Sequence, residues 1–202
     1  MPAYRIETER LVLRCWDPRD APLLKAAIEA SLDHLSEMPW RRFEPQTLDE
    51  KIELLRQMRG KFDLGQDFTY GILDTREQEA LGGTGLHTRV GVGAREIGYW
   101  IHGAHVRRGY ATEATAALVR VGFEIEKLKR IEIHIGSANL GSQGVARKLG
   151  FHHEATLRAR SENAAGQPRD TMIWSLFADD YPKSPSASRP LRAFDAAGRQ
   201  LL

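Results

Sequence analysis

The sequence Val106-Arg107-Arg108-Gly109-Tyr110-Ala111-Thr112-Glu113-Ala114 joins a strand-like segment to a helix-like segment through a basic turn centred on glycine. The first turn of a helix leaves backbone N–H groups unpaired and carries a partial positive charge, so this junction predicts an anion site suited to a pyrophosphate. Gly109 allows close approach of the backbone, and Arg107 and Arg108 add positive charge. A surface loop with solvated arginines is the alternative interpretation of this segment taken alone.

The elements around the turn favour the anion site. Residues 96–102 have the composition of a strand, and apolar residues recur at helical spacing from Ala114 to Leu128. A further strand is predicted at 130–135, followed by a short helix with Ser142 as its N-cap. The turn therefore lies between a strand and a helix N-terminus, which is the context that an anion site requires.

The remaining sequence predicts alternating helices and strands, and then two consecutive strands. The predicted strands are 10–16, 68–73, 80–86, 151–160 and 169–176, and the predicted helices begin near residue 22 and at the capping box of residues 47–50. This order indicates a mixed α/β (α+β) sheet, neither fully parallel nor fully antiparallel. We assign residues 1–181 to one domain, 182–190 to a Pro/Ser-rich linker, and 191–202 to a C-terminal tail that forms a hairpin on this or another subunit.

Composition limits the possible partners. The chain has 202 residues, 29 of them basic and 27 acidic, and this net charge of +2 calls for neither nucleic-acid binding nor a membrane surface. The single cysteine, Cys15, lies on the apolar face of a predicted strand and excludes an internal disulfide. No apolar run has the length of a membrane span, and no signal-like run precedes the first strand. These features favour a soluble cytoplasmic protein.

Several motifs, spread in order along residues 5–180, resemble those of the GNAT family of N-acetyltransferases. The resemblance is strongest to the RimJ/RimL-like branch, which acetylates the N-terminal amines of ribosomal proteins. The motifs are Glu-Thr-Glu-Arg-Leu-Val-Leu-Arg at 7–14, Leu-Ser-Glu-Met-Pro-Trp at 35–40, Ile-Gly-Tyr-Trp at 97–100, Gly-Tyr-Ala-Thr-Glu-Ala at 109–114, and Lys-Leu-Gly-Phe at 148–151.

The resemblance implies a mostly antiparallel central sheet with flanking helices, in which two parallel strands, 96–102 and 130–135, splay apart around acetyl-CoA. Backbone groups of Ile101 and His102 would bind the pantetheine arm as an added strand does. Asn139 matches the family asparagine near the pantetheine. The pyrophosphate would be held by the backbone amides of Arg107, Arg108, Gly109, Tyr110, Ala111 and Thr112.

Two positions depart from the general family pattern. Val106 replaces a Gln or Arg, which removes one side-chain contact but no backbone amide. Ala146 stands where many members have a tyrosine that protonates the departing thiolate. The RimJ/RimL-like branch resembles this chain in having a serine three residues after the asparagine, so Ser142 is the candidate acid and a second cofactor contact.

Acetyl transfer also requires a neutral amine. A peptide α-amine has a pKa of about 7.7–8.0, against about 10.4 for lysine, so it is more easily deprotonated to the neutral nucleophile. We predict direct attack, with Glu96 as base acting directly or through one water. An ion-paired strand carboxylate is the alternative role for Glu96. Met38, Pro39, Trp40 and Trp100 are candidates for the acceptor groove, with buried anchoring as the alternative.

The predicted function is acetyl-CoA-dependent transfer of an acetyl group to a primary amine, most favourably the α-amine of a protein. A small-molecule amine such as a polyamine or aminoglycoside is the alternative within the family. A non-catalytic acyl-CoA sensor is the alternative outside enzymes. The histidine spacing matches no common ligand motif, so no metal is expected, and the sequence leaves a homodimer open.

Overall fold

The computed structural model describes residues 2–38, 40–41 and 45–202. Within these ranges the chain forms four α-helices and nine strands, and no helix has the length and apolar character needed to cross a bilayer. The helices are α1 (Ala21–Glu29), α2 (Leu48–Asp63), α3 (Tyr110–Arg120) and α4 (Leu140–Lys148). The strands are β1 (Arg5–Glu7), β2 (Val12–Cys15), β3 (Phe68–Leu73), β4 (Ala80–His87), β5 (Ala94–Ile101), β6 (Arg130–Gly136), β7 (His152–Glu162), β8 (Pro168–Phe177) and β9 (Arg192–Phe194).

All nine strands belong to one sheet of order β7-β8-β6-β5-β4-β3-β2-β1-β9. Every neighbouring pair is antiparallel except β5 and β6, which run parallel. This pair is joined only where Ala94–Glu96 faces Arg130–Glu132, whereas β5 remains paired with β4 as far as Ile101. The sheet therefore opens into a slot between the two parallel strands, which confirms the predicted mixed sheet with a splayed parallel pair.

Two hydrophobic clusters cover the two faces of the sheet. On one face, α3 packs against alternate residues of the parallel strands, among them Ile97 on β5 and Ile131 and Ile133 on β6. On the other face, α1 and α2 pack around Trp16 and Leu73. Because side chains alternate along a strand, residues 96, 98 and 100 of β5 and 132, 134 and 136 of β6 point away from α3. Each of the two strands that border the slot therefore presents one set of side chains to α3 and the other set to the α1–α2 layer.

The helix starts agree with the sequence except at α4, and α3 ends at Arg120, followed by a π-helical turn over Val121–Ile125 rather than by regular α-helix to Leu128. The Thr47 side chain accepts the backbone N–H of Glu50 at the start of α2, as the capping box predicts. Ser142 is not an N-cap, however, because α4 begins at Leu140 and Asn139 Oδ1 accepts the Ser142 N–H at 3.0 Å. Asparagine and serine cap helices about equally well, and here the earlier of the two residues occupies the position.

The C-terminal segment packs onto the same chain. Strand β9 pairs antiparallel with β1, and Phe194 bridges to Gln200, so residues 191–202 form a hairpin at the sheet edge. Residues 182–190, expected to act as a linker, instead pack against the domain. Ser184 and Ser186 are buried there, and the Ser184 hydroxyl donates to the Leu149 carbonyl at 2.8 Å. Serine hydroxyls bonded to nearby backbone groups explain why this polar composition does not remain solvated.

Truncation after Tyr181 is expected to lower the melting temperature by at least about 5 °C. The truncation strips β1 of its edge partner and removes the fully buried Ala193 together with the Arg192–Glu7 ion pair. A loss of about 2 kcal/mol shifts the midpoint by about 4–8 °C in a domain of this size. Differential scanning calorimetry measures the shift, and an unchanged midpoint would contradict it. Sedimentation of the same variant reports whether the hairpin also completes a second subunit.

Candidate active site

The turn before α3 forms a concave backbone surface. Gly109, the N-cap of α3, has φ +86°, and Arg107 has φ +61°, so two of three consecutive residues are left-handed. Left-handed residues in close succession turn their amides toward a common point, which is how backbone nests bind anions. The side chains of Arg107 and Arg108 are exposed beside this surface. We call residues 107–112 the cradle.

Arg10 holds the cradle in place. Its guanidinium donates to the Arg108 carbonyl at 3.0 Å and to Glu113 at 2.8 Å, and it lies 4.9 Å above the centre of the Tyr110 ring. The Glu113 carboxylate also accepts the hydroxyl proton of Thr8 at 2.7 Å. The N-terminal segment therefore fixes the shape of the cradle without a ligand. No sequence pattern assigns this role to Arg10, although Arg10 lies within the motif at 7–14.

The edge of β5 that faces the slot offers free backbone groups. Along this strand the groups of alternate residues point toward β4, as shown by the Gly98 carbonyl, which accepts the Thr84 hydroxyl at 2.9 Å. The groups of Tyr99 and Ile101 then point into the slot, where an extended ligand can pair with them. Ile101 is thus placed as predicted.

The predicted contact from the His102 backbone is not available. Its N–H donates to the Leu81 carbonyl at 2.8 Å, and its carbonyl accepts the His105 N–H at 2.8 Å. Its ring Nδ1 accepts the N–H of Ala104. Strand β5 ends at Ile101, and the turn that follows uses both backbone groups of His102.

Two hydroxyl groups face each other on the α3–α4 side of the slot. Ser142 is half-buried on α4, and the Asn139 amide nitrogen beside it remains free to donate because only its oxygen is used in the cap. Across from Ser142, the buried Tyr99 hydroxyl lacks a hydrogen bond of good geometry. Burial raises the pKa of the Tyr99 phenol to about 12, and the neighbouring Ser142 opposes this shift in part. Position 146 holds a fully buried alanine, which has no hydroxyl. The phenol next to Ser142 is instead that of Tyr99.

A cleft of about 990 Å³ lies on the opposite face and reaches the slot. Met38, Trp40 and Trp100 line it, with the two indole rings 6.1 Å apart. Gly83 makes room for Trp100, since a Cβ at that position would lie 2.6 Å from the indole nitrogen. The predicted groove residues therefore lie on one wall, except that Pro39 is outside the described residues.

Charged groups meet at the closed end of the slot. Glu96 is 6% exposed, and Arg89 donates to both of its oxygens, at 2.6 and 2.7 Å. Glu132, the Cα partner of Glu96 across the strands, accepts from Arg130 Nε at 2.6 Å. Glu96 is therefore at the predicted place, but both oxygens are already hydrogen-bonded.

His134 lies between these two carboxylates. Its Nε2 is 2.6 Å from Glu132 Oε2, and its Nδ1 is 3.4 Å from Glu96 Oε2. In the sequence, His134 belongs to a set of histidines whose spacing matches no common ligand motif, and Glu132 belongs to none of the motifs named above. The available signal was the alternation of Ile131, Ile133 and Ile135 with polar residues, which places both side chains on the face opposite the core. Among the described residues, no three His, Cys, Asp or Glu side chains converge as metal ligands would.

Cys15 is unsuited to carry an acyl group. It is buried in β2, as predicted, and burial raises the pKa of its thiol to about 12. A thiol in this state supplies little thiolate at neutral pH.

The cradle lies at the open end of the slot, and Glu96 and His134 lie at its closed end. A ligand whose diphosphate rests in the cradle and whose arm pairs with Tyr99 and Ile101 points its far end at these two side chains. Free amides, a free strand edge and the Asn139 donor match the phosphates and amide groups of acetyl-CoA.

Comparison with known proteins supports the same assignment. Residues 10–152 match the family model described as acetyltransferase (GNAT) domain. The uncharacterized N-acetyltransferase YjdG of Bacillus subtilis is 31% identical over 72% of this chain and 88% of its own length. Mycobacterium smegmatis RimJ in complex with CoA-disulfide has a TM-score of 0.79 at 22% identity, covering 93% of this chain and 95% of that chain. The ribosomal-protein-S5-alanine acetyltransferase of Vibrio fischeri has a TM-score of 0.75 at 22% identity over 88% and 98% of the two chains. This chain belongs to the GNAT acetyltransferase family.

Proposed function

We propose that this N-acetyltransferase transfers the acetyl group of acetyl-CoA directly to the N-terminal α-amine of a protein. The observation that carries the proposal is the slot through the sheet, which has an anion cradle at one end and an open cleft of about 990 Å³ on the opposite face. A cleft with an aromatic wall and an open mouth suits a chain end that enters from one side. The name of the Vibrio fischeri neighbour, a ribosomal-protein acetyltransferase, supports this acceptor class.

The cofactor is proposed to lie along the α3–α4 side. Amides of the cradle hold the diphosphate, assisted by Arg107 and Arg108, and Ile101 pairs with the pantetheine arm. Asn139 donates to a carbonyl of the same arm. In this position the thioester reaches the closed end of the slot from one face, while the amine approaches from the other.

On the cleft side, Glu96 is proposed to receive the amine. Its carboxylate attracts the ammonium form, which predominates below a pKa of about 7.7–8.0. Once a proton has left, the amine nitrogen attacks the carbonyl carbon, the new C–N bond forms and the C–S bond breaks. No acyl-enzyme is required, because both substrates meet in the slot.

On the other side, Ser142 is proposed to protonate the departing thiolate. The buried Tyr99 hydroxyl next to it has no other hydrogen-bond acceptor and stays protonated at neutral pH, since its pKa is about 12. A hydrogen bond from Tyr99 stabilises negative charge on Ser142 or on the sulfur during transfer. Ser142 and Tyr99 together would take the place of the tyrosine that many family members have at the position of Ala146.

The acceptor class is tested by measuring thiol release from acetyl-CoA with a panel of amines. Peptides with a free α-amine are expected to release CoA, and the same peptides blocked at the α-amine but carrying an internal lysine are expected to release none. Spermidine and an aminoglycoside complete the panel. Turnover with these small amines alone would contradict the protein acceptor, and tight acetyl-CoA binding without turnover on any amine would indicate a sensor.

A further inference from the structure

We infer that His134 is the general base that takes the proton from the acceptor amine, with Glu132 orienting its ring. The inference rests on the proposed function and adds a catalytic residue to it. His134 lies on the cleft face of β6, lines the cleft and is within reach of Glu96 at the closed end of the slot.

His134 Nδ1 accepts no hydrogen bond from the described residues. Both Glu96 oxygens accept from Arg89, and the Glu132 oxygens accept from Arg130 and from His134 Nε2. Each carboxylate oxygen keeps a further lone pair, with which Glu96 can hold an ammonium N–H. A ring that donates from Nε2 to Glu132 carries its lone pair on Nδ1. A base must present a lone pair to the proton it removes, and Nδ1 presents one that no charged donor already occupies.

An ammonium group that approaches from the cleft can contact both His134 Nδ1 and Glu96 Oε2. The two atoms are 3.4 Å apart, beyond the usual N–H···O range of about 2.7–3.2 Å, so they do not bond to each other. Two hydrogen-bond acceptors facing each other repel. A substrate ammonium that donates one N–H to Glu96 and another to Nδ1 relieves this repulsion.

Proton transfer then balances without another reagent. An N–H bond of the ammonium breaks as the proton moves to Nδ1, and the freed lone pair attacks the thioester carbon. The resulting imidazolium lies between the carboxylates of Glu96 and Glu132. Arg89 and Arg130 already balance these two carboxylates, so the imidazolium carries the positive charge that the ammonium brought. As the C–S bond breaks, the nitrogen gives up its second proton to water and the sulfur takes a proton from the Ser142 side. After the products leave, the imidazolium loses its proton to water and Ser142 regains one from water.

His134→Gln tests the inference, because the glutamine amide keeps a donor toward Glu132 and removes the lone pair of Nδ1. We expect kcat to fall by about 10²- to 10⁴-fold, most steeply below the pKa of the amine, with acetyl-CoA affinity unchanged by calorimetry. The matched control is His153→Gln on β7, an exposed histidine that also bonds a side chain, Thr156, outside the cleft. The control should retain wild-type kcat.

A second measurement needs no acceptor. Nitrogen-15 NMR of the wild-type protein is expected to show His134 protonated at Nε2 and bare at Nδ1, and acetyl-CoA should not change this. Full activity of His134→Gln, or a ring protonated only at Nδ1, would overturn the inference. Wild-type protein that acetylates no amine would instead refute the proposed function, and the NMR tautomer alone would then decide whether the ring is set as a base.

Discussion

Gly109→Val is expected to weaken acetyl-CoA binding by about 10- to 100-fold. Gly109 has φ +86°, a conformation that a β-branched residue occupies only at a cost of about 1–3 kcal/mol. An added Cβ would also lie 3.4 Å from the Arg10 guanidinium that holds the cradle. If the backbone relaxes to relieve these contacts, the cradle amides turn away from the diphosphate. Each 1.4 kcal/mol of binding free energy that is lost weakens the affinity for acetyl-CoA about tenfold.

Isothermal titration with acetyl-CoA measures this effect. Gly198→Val is the matched control, since Gly198 also has a left-handed φ, +76°, but belongs to the C-terminal hairpin, and no atom lies within 4 Å of its added Cβ. The Gly198→Val variant should have a lower free energy of unfolding but an unchanged affinity for acetyl-CoA. A Gly109→Val variant that is folded and binds acetyl-CoA as well as the wild type would refute the assignment of the cradle.

Glu96→Gln is expected to lower kcat/KM by about 10²-fold or more, with the larger loss at lower pH. Below a pKa of about 7.7–8.0 the amine arrives as an ammonium, which a carboxylate attracts and a neutral amide does not. The substitution also leaves the Arg89 charge uncompensated beside the incoming cation. Above this pH the amine arrives neutral, so the difference between the variant and the wild type narrows.

A pH series of kcat/KM with one peptide acceptor measures this loss. Glu53→Gln is the control, because Glu53 also pairs with an arginine, Arg56, but on the exposed surface of α2. Acetyl-CoA affinity should stay the same in both variants. Full activity of Glu96→Gln across the series would remove Glu96 from the reaction.

The parts of the site predicted from sequence are those that local chemistry determines. The glycine-centred turn at Gly109 and the capping box at Thr47 depend on neighbours in the chain, and both appear in the structure. The splayed strands followed from the family resemblance, because pairing between distant segments leaves little local signal. The cap of α4 was misplaced because two adequate capping residues, Asn139 and Ser142, lie three positions apart.

The parts that were missed depend on partners far away in sequence. The His102 backbone is unavailable because Leu81 on a neighbouring strand already pairs with it. Arg10 reaches the cradle from the other end of the domain, and His134 lies 3.4 Å from a carboxylate on β5 that is 38 positions earlier in the chain. No periodicity within one segment reveals which atoms remain unpaired after the sheet has formed.

The slot passes through the sheet, so its two mouths open on opposite sides of the protein. In the proposed arrangement, acetyl-CoA occupies the α3–α4 mouth, whereas the acceptor occupies the mouth facing α1 and α2. Neither substrate then blocks the entrance of the other, and spent CoA has its own exit. Such an arrangement lets the cofactor exchange while a polypeptide acceptor remains docked.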